Sequence, residues 1–407
     1  MNIDRIYRDE FGRSVATVAR LVGDIGLAED AVQDAFADAL RTWTGATLPA
    51  NPGAWITTAA RNRALDRLRR ESLRRGKETA ATSEVAPAED AELQPVPDDQ
   101  LRLMFTCCHP ALSPEARIAL TLRLVAGLRT AEIARAFMQP EATVAQRLSR
   151  AKTRIRSCGI PLRVPEAQAL PDRLADVLAC IYLVFAEGYF AAAGNPTVRG
   201  ELCAEAVRLG RLLCGLMPEH GEAHALLALM LLDDSRRNQR ADAAGELLTL
   251  EEQDRSRWDR ESIADGVRHL RRAAALGRGP YLAQAVIAAA HATAPTFAAT
   301  DWPGIVAAYD ELLAWTPSPA VRLNRAVALG FARGFPAGIA ELDALAADPA
   351  VTQGFTLAAA RADLLRRAGR LDEAAVEYQL AIERIRAGQT RRHLQRRLAE
   401  CAGGGRD

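Results

Sequence analysis

The chain has 407 residues, 52 basic and 51 acidic side chains, and a formal net charge of +1. This length predicts two or three domains with sizeable cores. Because the charges balance, the molecule as a whole does not attract nucleic acid, and any such affinity must be local. The sequence shows no apolar run long enough for a bilayer and no signal-peptide core at its start, so we expect a cytoplasmic protein without membrane association. Its seven cysteines lack CxxC spacing and are expected to be reduced thiols.

Helical periodicity runs through nearly the whole sequence without a strand signal, which predicts an all-α fold. The first module, residues 1–77, is predicted to be a bundle of three or four helices. Its segment AEDAVQDAFADAL (28–40) places Asp30, Asp34 and Asp38 at i, i+4 and i+8, hence on one helix face. Stacked like charges destabilise a helix, so this face indicates a basic partner or, alternatively, a solvated surface. The opposite face is predicted to lie in the core through Val32, Ala35, Phe36, Ala39 and Leu40.

An arginine-rich amphipathic helix follows at AWITTAARNRALDRLRRESLRR (54–75). Its apolar residues recur at spacings of three and four, which gives one buried stripe, and the arginines are predicted to cover the remaining surface. Arginine keeps its charge and presents a planar fork suited to phosphate, so this surface is typical of a helix that follows a nucleic-acid backbone. A solvated face of a bundle helix is the alternative interpretation. The candidate DNA-contacting arginines are Arg61, Arg63, Arg67, Arg69 and Arg70.

Residues 78–97 are predicted to be a flexible linker, since the stretch 78–100 holds seven acidic residues and no basic one. An acidic segment repels DNA and would separate two DNA-binding modules. The second helical module, 98–158, contains TAEIARAFMQPEATVAQRLSRAKTRIR (130–156), which is the pattern of a helix-turn-helix.

In this helix-turn-helix, Thr130 is the predicted N-cap, Glu132 meets the positive end of the helix dipole, and Pro140 ends the first helix. The second helix is predicted to turn its polar residues outward, where a recognition helix meets bases and phosphates of the major groove. An ordinary αα-hairpin is the alternative. The candidate DNA-reading residues are Thr143, Gln146, Arg147, Arg150, Lys152 and Arg154.

No catalytic or metal site is predicted. Cys107, Cys108 and His109 are adjacent in sequence, and adjacent residues seldom point into one tetrahedral site. His220 and His224 lie at i and i+4, but HGEAH does not match a zincin motif, and no phosphate-binding loop or Ser/His/Asp constellation is recognisable. We therefore expect a protein that is not an enzyme and that needs no metal or cofactor.

A proline-punctuated linker at 159–171 leads into a predicted series of Ala- and Leu-rich helices over residues 172–401. Within this tail, residues 242–260 interrupt the series and are predicted to form a loop or lid.

One tail segment, 358–385, resembles a tetratricopeptide unit, which has a glycine at the turn, small residues at close helix contacts and one large aromatic residue. Segments 323–349 and 211–232 look like poorer copies, and an unrelated all-α domain is the alternative. The positions that carry the likeness in the best segment are Gly369, Ala374, Tyr378 and Ala381.

In this order the motifs resemble those of bacterial sigma factors of the extracytoplasmic-function type, within the sigma-70 family. Segment 28–40 looks like their region 2.2, segment 54–71 is similar to region 2.4, and the helix-turn-helix matches region 4.2. The run FTCCHPALSPEARIALTLRLVAGLRTAEIARAF (105–137), with a long helical tail, looks like the subgroup that carries a tetratricopeptide-like extension. The sigma resemblance covers residues 1–158, and the tail resemblance covers most of the rest.

The resemblance implies roles for particular residues. The region 2.2 helix would dock on core RNA polymerase, the region 2.4 helix would recognise the promoter minus-ten element, and the helix-turn-helix would read the minus-35 element. The loop 44–53 would capture a flipped base, and Trp55 beside it is either a stacking platform or a core residue. The polymerase-binding candidates are Asp30, Gln33, Asp34 and Asp38, and the resemblance adds Trp55 and Asn62 to the minus-ten set.

We therefore expect a sigma factor that directs promoter-specific transcription initiation, with core RNA polymerase and promoter DNA as partners. Helical repeats build protein-binding surfaces, so the tail is expected to modulate activity and to offer a surface to a regulatory protein. The resemblance implies a tail required for activity, and a tail that masks the DNA-binding face is the alternative. A second functional hypothesis is a conventional helix-turn-helix regulator with a helical sensor domain, although such regulators normally need one basic module and a dimer interface.

Overall fold

The computed structural model describes residues 3–43, 47–76, 97–137, 139–190, 196–242, 246–346, 354–385 and 388–403. Every regular element in these ranges is helical, and the isolated bridge between Ala241 and Leu247 belongs to no strand. The predicted all-α fold is confirmed. Within the same ranges, no helix is both long and apolar enough to cross a membrane. The predicted acidic linker lies almost entirely outside the described residues.

The chain folds as two compact units, Met1–Gly188 with Gly194–Leu216, and Tyr189–Ala193 with Met217–Asp407. This division differs from the predicted domain boundary at 172, because two helices of the predicted tail belong to the first unit. The helices of the first unit are α1 (Ile3–Val22), α2 (Ile25–Thr42), α3 (Pro52–Gly76), α4 (Pro97–Cys107), α5 (Pro114–Leu120), α6 (Thr130–Ala136), α7 (Glu141–Ser157), α8 (Leu170–Phe190) and α9 (Pro196–Leu216).

Helices α1, α2 and α3 pack on one another as a bundle. The chain turns into α2 at Gly23, whose φ of 71° suits glycine, and the Asp24 side chain caps the helix by accepting a hydrogen bond from the N–H of Leu27 at 3.0 Å. Phe11 and Phe36 are buried in the bundle. Leu40, which was expected in the core, is 62% exposed because it lies just beyond the edge of the buried face of α2.

Helices α4 to α7 form the second helical group of this unit. The side chain of Ser113 caps α5 by accepting a hydrogen bond from the N–H of Ala116 at 3.3 Å. A π-helical turn, Thr121–Val125, follows α5. A Cβ at Gly12 of α1 would lie 2.4 Å from the carbonyl oxygen of Val125, so glycine permits the close approach of the bundle to this turn.

The predicted helix-turn-helix is formed by α6 and α7, with Pro140 at the N-cap of α7. The N-cap of α6 is Arg129 rather than Thr130. The reason is that the Glu132 carboxylate accepts a hydrogen bond from the Arg129 N–H at 2.7 Å, which satisfies the helix end one residue before the predicted cap.

Helix α8 is held to the second helical group by its side chains. Nη2 of Arg173 donates to the carbonyl oxygen of Phe105 at 2.6 Å, and Sγ of Cys180 lies 3.6 Å from Oγ1 of Thr121. Helix α9 contacts both α4 and α6. These contacts explain why the first unit continues to Leu216.

The second unit is a series of helices in which consecutive members pack on each other. Gly338 marks a close helix crossing, since a Cβ there would lie 2.8 Å from the carbonyl oxygen of Ala326. Its α-helices are Gly221–Asp234, Arg260–Leu276, Pro280–Thr293, Trp302–Trp315, Pro319–Arg333, Phe335–Leu345, Thr356–Arg367, Leu371–Arg384 and Gln389–Gly403.

The segment with the tetratricopeptide likeness folds as two helices, Thr356–Arg367 and Leu371–Arg384, around Gly369 at a φ of 77°. Ala374, Tyr378 and Ala381 are all buried between elements of this unit. The two helices, the turn at the glycine and the buried positions between the helices match the sequence prediction. The assignment of this segment to tetratricopeptide repeats stays a prediction.

The interrupting segment, 242–260, is largely irregular within its described residues and contains a 3₁₀ turn at Arg255–Arg257. Two of its glutamates are paired with arginines of later helices of the same unit. Glu251 accepts from Arg367 at 2.7 Å, and Glu252 accepts from Arg397 at 2.9 Å. These ion pairs hold the loop against the later helices of the second unit.

Candidate nucleic-acid interface

Helix α3 carries the first predicted DNA-binding surface, and its polar residues divide between solvent and α2. Asn62, Arg69 and Arg70 are exposed. Arg63 and Arg67 instead turn toward α2, where they form ion pairs with Asp38 and Asp34, respectively. The surface that α3 offers to a nucleic-acid backbone is therefore narrower than the sequence indicated.

Arg61 is a correction to the predicted set. Its residue is only 8% exposed, although the arginines of this helix were expected to cover its surface. The position falls next to the buried stripe, between Ala60 and Ala64, which are both fully buried. A side chain enclosed in this way does not present its guanidinium to DNA in this structure.

Trp55, at the first turn of α3, is half-buried and packs edge-to-face on Trp43 with ring centroids 5.2 Å apart. Trp43 is buried at the end of α2. The loop predicted to capture a flipped base connects these two residues in the sequence, and its residues 44–46 are outside the described part of the chain. The pair gives Trp55 a packing role and leaves part of its surface open.

The carboxylate face of α2 exists as predicted, but the chain itself supplies most of its partners. Asp38 pairs with Arg63 and with Arg41, and Asp34 pairs with Arg67. Asp30 is exposed, with Arg67 at 3.9 Å, and Gln33 is exposed as well. Asp30 and Gln33 are thus the members of the predicted polymerase-binding set that face solvent most openly.

The second predicted DNA-binding surface is an open groove of about 360 Å³ beside α7. Nη1 of Arg147 donates to Oε1 of Gln139 at 2.9 Å, so a residue of the turn orients this guanidinium. Arg150 and Arg154 are exposed along the same face. The groove is lined from α7 by Thr143, Gln146, Arg147, Arg150, Ala151 and Arg154.

Lys152 is a second correction, because it does not share this groove. Its Nζ donates to Oε2 of Glu29 on α2 at 2.9 Å. Arg156, one turn later, pairs with Asp24 at 2.8 Å. A position two or six residues from Arg150 falls on a different helix face, and that face is docked on the bundle.

Glu29 is the centre of a buried junction that sequence reasoning missed. The residue is 4% exposed, and its Oε1 accepts from Nε of Arg123 at 2.6 Å. Arg123 also donates to the hydroxyl of Tyr7 at 3.3 Å and to the carbonyl of Leu128 at 3.0 Å. A signal was present, since Glu29 lies on the apolar stripe of α2 and Arg123 stands alone in an apolar run. Charges in such positions are buried only when paired.

The side chains of residues 107–109 are occupied by burial and by hydrogen bonds within the first unit. Burial raises the pKa of the Cys107 thiol, and a hydrogen bond with Cys180 together with burial raises that of Cys108. Nδ1 of His109 accepts a hydrogen bond from the N–H of Ala111 at 3.1 Å. Thiols that stay protonated are poor ligands and nucleophiles.

In the second unit, the ring nitrogens of His224 are hydrogen-bonded to His269 and to the carbonyl of Pro218.

Comparison with known proteins bears on this pair of basic helices. The model of sigma-70 region 2 matches residues 7–74, and that of sigma-70 region 4 matches residues 102–155. The chain therefore contains both conserved domains of sigma-70 factors and is similar to extracytoplasmic-function sigma factors. A family of unknown function matches residues 173–274 of this sigma factor, across the end of the first unit.

Relatives of the sigma factor fall into two groups. An uncharacterized protein of Rhizobium meliloti (strain 1021) is 40% identical over 381 residues, covering 91% of this chain and 89% of that protein, and the chain belongs to its family. The probable ECF RNA polymerase sigma factor SigI of Mycobacterium tuberculosis is 31% identical over 170 residues, or 40% of this chain and 57% of SigI. The ECF RNA polymerase sigma factor SigK of Mycobacterium ulcerans is 28% identical over 150 residues, or 36% of this chain and 79% of SigK.

Proposed function

We propose that this sigma factor directs core RNA polymerase to promoters by reading a minus-35 element with α7 and a minus-ten element with α3. The observation that carries the proposal is the open, arginine-lined groove of a helix-turn-helix in a chain that also holds a second, separate basic helix. Arg150 and Arg154 can reach base edges or phosphates from an exposed helix face, as recognition helices do. Asn62 and Arg70 offer exposed polar groups on α3.

Binding to core polymerase is proposed for the exposed edge of α2, at Asp30 and Gln33. Asp34 and Asp38 belong to the same face, but they already neutralise Arg67 and Arg63. A substitution at either one would therefore disturb α3 as well as the docking surface. Asp30 lies 3.9 Å from Nη1 of Arg67, and Nε2 of Gln33 donates to Oε1 of Glu29 at 3.1 Å, so substitution at these two positions disturbs α3 less.

The test is co-purification with core RNA polymerase, followed by run-off transcription from a DNA library randomised upstream of the start. Asp30→Lys combined with Gln33→Lys is expected to abolish co-purification and transcription while helical content stays unchanged. The matched control makes the same chemical change elsewhere, at Asp372 and Gln379, which are both exposed on a helix of the second unit. Wild-type co-purification of the α2 variant would show that polymerase docks on another surface.

The tail is proposed to be required for activity, with its second unit available to a regulatory protein. Support comes from α8 and α9, which belong to the predicted tail and pack within the first unit. A chain ending at Arg163 would lose both helices, so it is a poor test of the second unit. A chain ending at Leu216 keeps the first unit whole, and we expect it to lose transcription while still binding polymerase. Raised transcription from that chain would favour masking of the DNA-binding face instead.

A further inference from the structure

The groove beside α7 has a second wall, which comes from the segment that leads into α5. Ala111, Leu112 and Ser113 line it together with Ala116, opposite the exposed arginines of α7. DNA that enters the groove to reach Arg150 must therefore also pass this segment. The position of the segment sets the width of the groove, so whatever fixes the segment also affects reading.

Arg117 fixes the segment from beneath. Its Nε donates to the carbonyl of Leu112 at 3.0 Å, and its Nη2 donates to the carbonyl of Pro110 at 3.1 Å. Its Nη1 donates to Oδ1 of Asp176 on α8 at 2.8 Å. A guanidinium is planar with donors in a rigid fork, so Asp176, by holding one side of the fork, sets the direction of the other two bonds.

Helix α8 is itself anchored close to this point. One turn before Asp176, Arg173 donates to the carbonyl of Phe105 at 2.6 Å, near the end of α4. The side chains of Arg117 and Asp176 are 18% and 25% exposed, which leaves them partly shielded from water and salt. The first helix of the predicted tail thus reaches the wall of the groove through one half-buried ion pair.

We propose that Asp176 is a positioning residue for minus-35 recognition, which acts by holding Arg117 and, through it, the Pro110–Ser113 wall of the reading groove. Asp176 does not touch DNA. It makes α8 part of the minus-35 reader, which gives a physical basis for requiring the first helix of the predicted tail. The inference rests on the proposed function, because the position of this wall affects recognition only if α7 reads DNA.

The test uses the full chain with core polymerase and the same randomised DNA library, and it sequences the templates that are transcribed. The unaltered chain is expected to enrich an upstream and a downstream motif. Asp176→Ala should lower enrichment of the upstream motif about five- to tenfold, the order of one lost DNA contact. Enrichment of the downstream motif and polymerase binding should stay unchanged, and the unfolding temperature should fall only slightly because the ion pair is half-buried. Asp176→Asn, which keeps an oxygen acceptor, should restore part of the upstream enrichment.

Glu201→Ala is the matched control, because Glu201 of α9 pairs with Arg135 of α6 at 3.7 Å in an exposed contact between the tail and the helix-turn-helix. It should leave both motifs as in the unaltered chain. Unchanged upstream enrichment with Asp176→Ala would overturn the inference, as would an equal loss of both motifs with a lowered unfolding temperature. A complete lack of transcripts with the unaltered chain would overturn the proposed function first, and the inference with it.

Discussion

Helices α3 and α7 are both rich in arginine, yet the chain uses their charges differently. On α3, the arginines nearest α2 are neutralised by a row of carboxylates that runs antiparallel to them, with Arg63 on Asp38 and Arg67 on Asp34. On α7, the paired cations and the exposed cations lie on different faces of the helix. Lys152 and Arg156 are paired with the bundle, and Arg150 and Arg154 stay exposed on the groove.

The difference shows why a count of basic residues overstates a nucleic-acid surface. Each internal ion pair must be broken before its cation can serve a phosphate, so it contributes less to binding than an exposed one. A recognition helix retains its reading face because helical periodicity keeps positions 143, 146, 147, 150 and 154 together and sends 152 and 156 to another side. On α3 the paired Arg63 and Arg67 instead precede the exposed Arg69 and Arg70 along the helix.

The largest effect should come from the junction that docks α7 on the bundle. Glu29→Ala would leave Arg123 buried without its carboxylate, and removal of one partner of a buried ion pair costs about 3–5 kcal/mol of folding free energy. We expect a lower unfolding temperature for the first unit, measured by calorimetry. Asp24→Ala removes the more exposed pair with Arg156 and its own helix cap, and should cost about 1–2 kcal/mol. Equal unfolding temperatures for Glu29→Ala and the unaltered chain would show that the junction contributes nothing net.

Local sequence patterns predicted the elements of both helices well. The arginine-rich segment predicted at 54–75 forms Pro52–Gly76, and the buried residues of α7, Val144, Leu148, Ala151 and Ile155, recur at spacings of three and four. These features depend on residues within a few turns of one another. Periodicity and capping determine them, so the sequence alone is sufficient.

The pairings between elements were not predictable in the same way. Glu29 and Arg123 are 94 residues apart, and Arg117 and Asp176 are 59 apart. Which charges meet depends on which faces pack, and the periodicity of one helix contains no information about its neighbour. For this reason the sequence predicts Lys152 on the reading face and α8 in a separate domain.

An intermediate effect on promoter binding is expected from substitutions on α7, and it should differ between the two faces of the helix. Arg150→Ala should weaken promoter binding by polymerase that carries this sigma factor by about 1–3 kcal/mol if the side chain reads a base. Lys152→Ala should change promoter binding much less, because its ammonium is held by Glu29. Competition binding with upstream-altered promoter DNA measures both. A Lys152 loss as large as the Arg150 loss would mean that the docked face is released when DNA binds.

The smallest effect should separate the paired and exposed arginines of α3. Each phosphate contact contributes about 0.9 to the slope of log affinity against log salt concentration. Arg70 is exposed, so Arg70→Ala should reduce the slope for promoter binding by nearly one such contact. Arg67→Ala should reduce it by less, because Asp34 already balances that charge in the free protein and the substitution frees a carboxylate to repel the backbone without removing a full contact. Equal reductions would mean that Arg67 leaves Asp34 for the backbone, in which case the carboxylate row of α2 is an exchangeable partner rather than a fixed one.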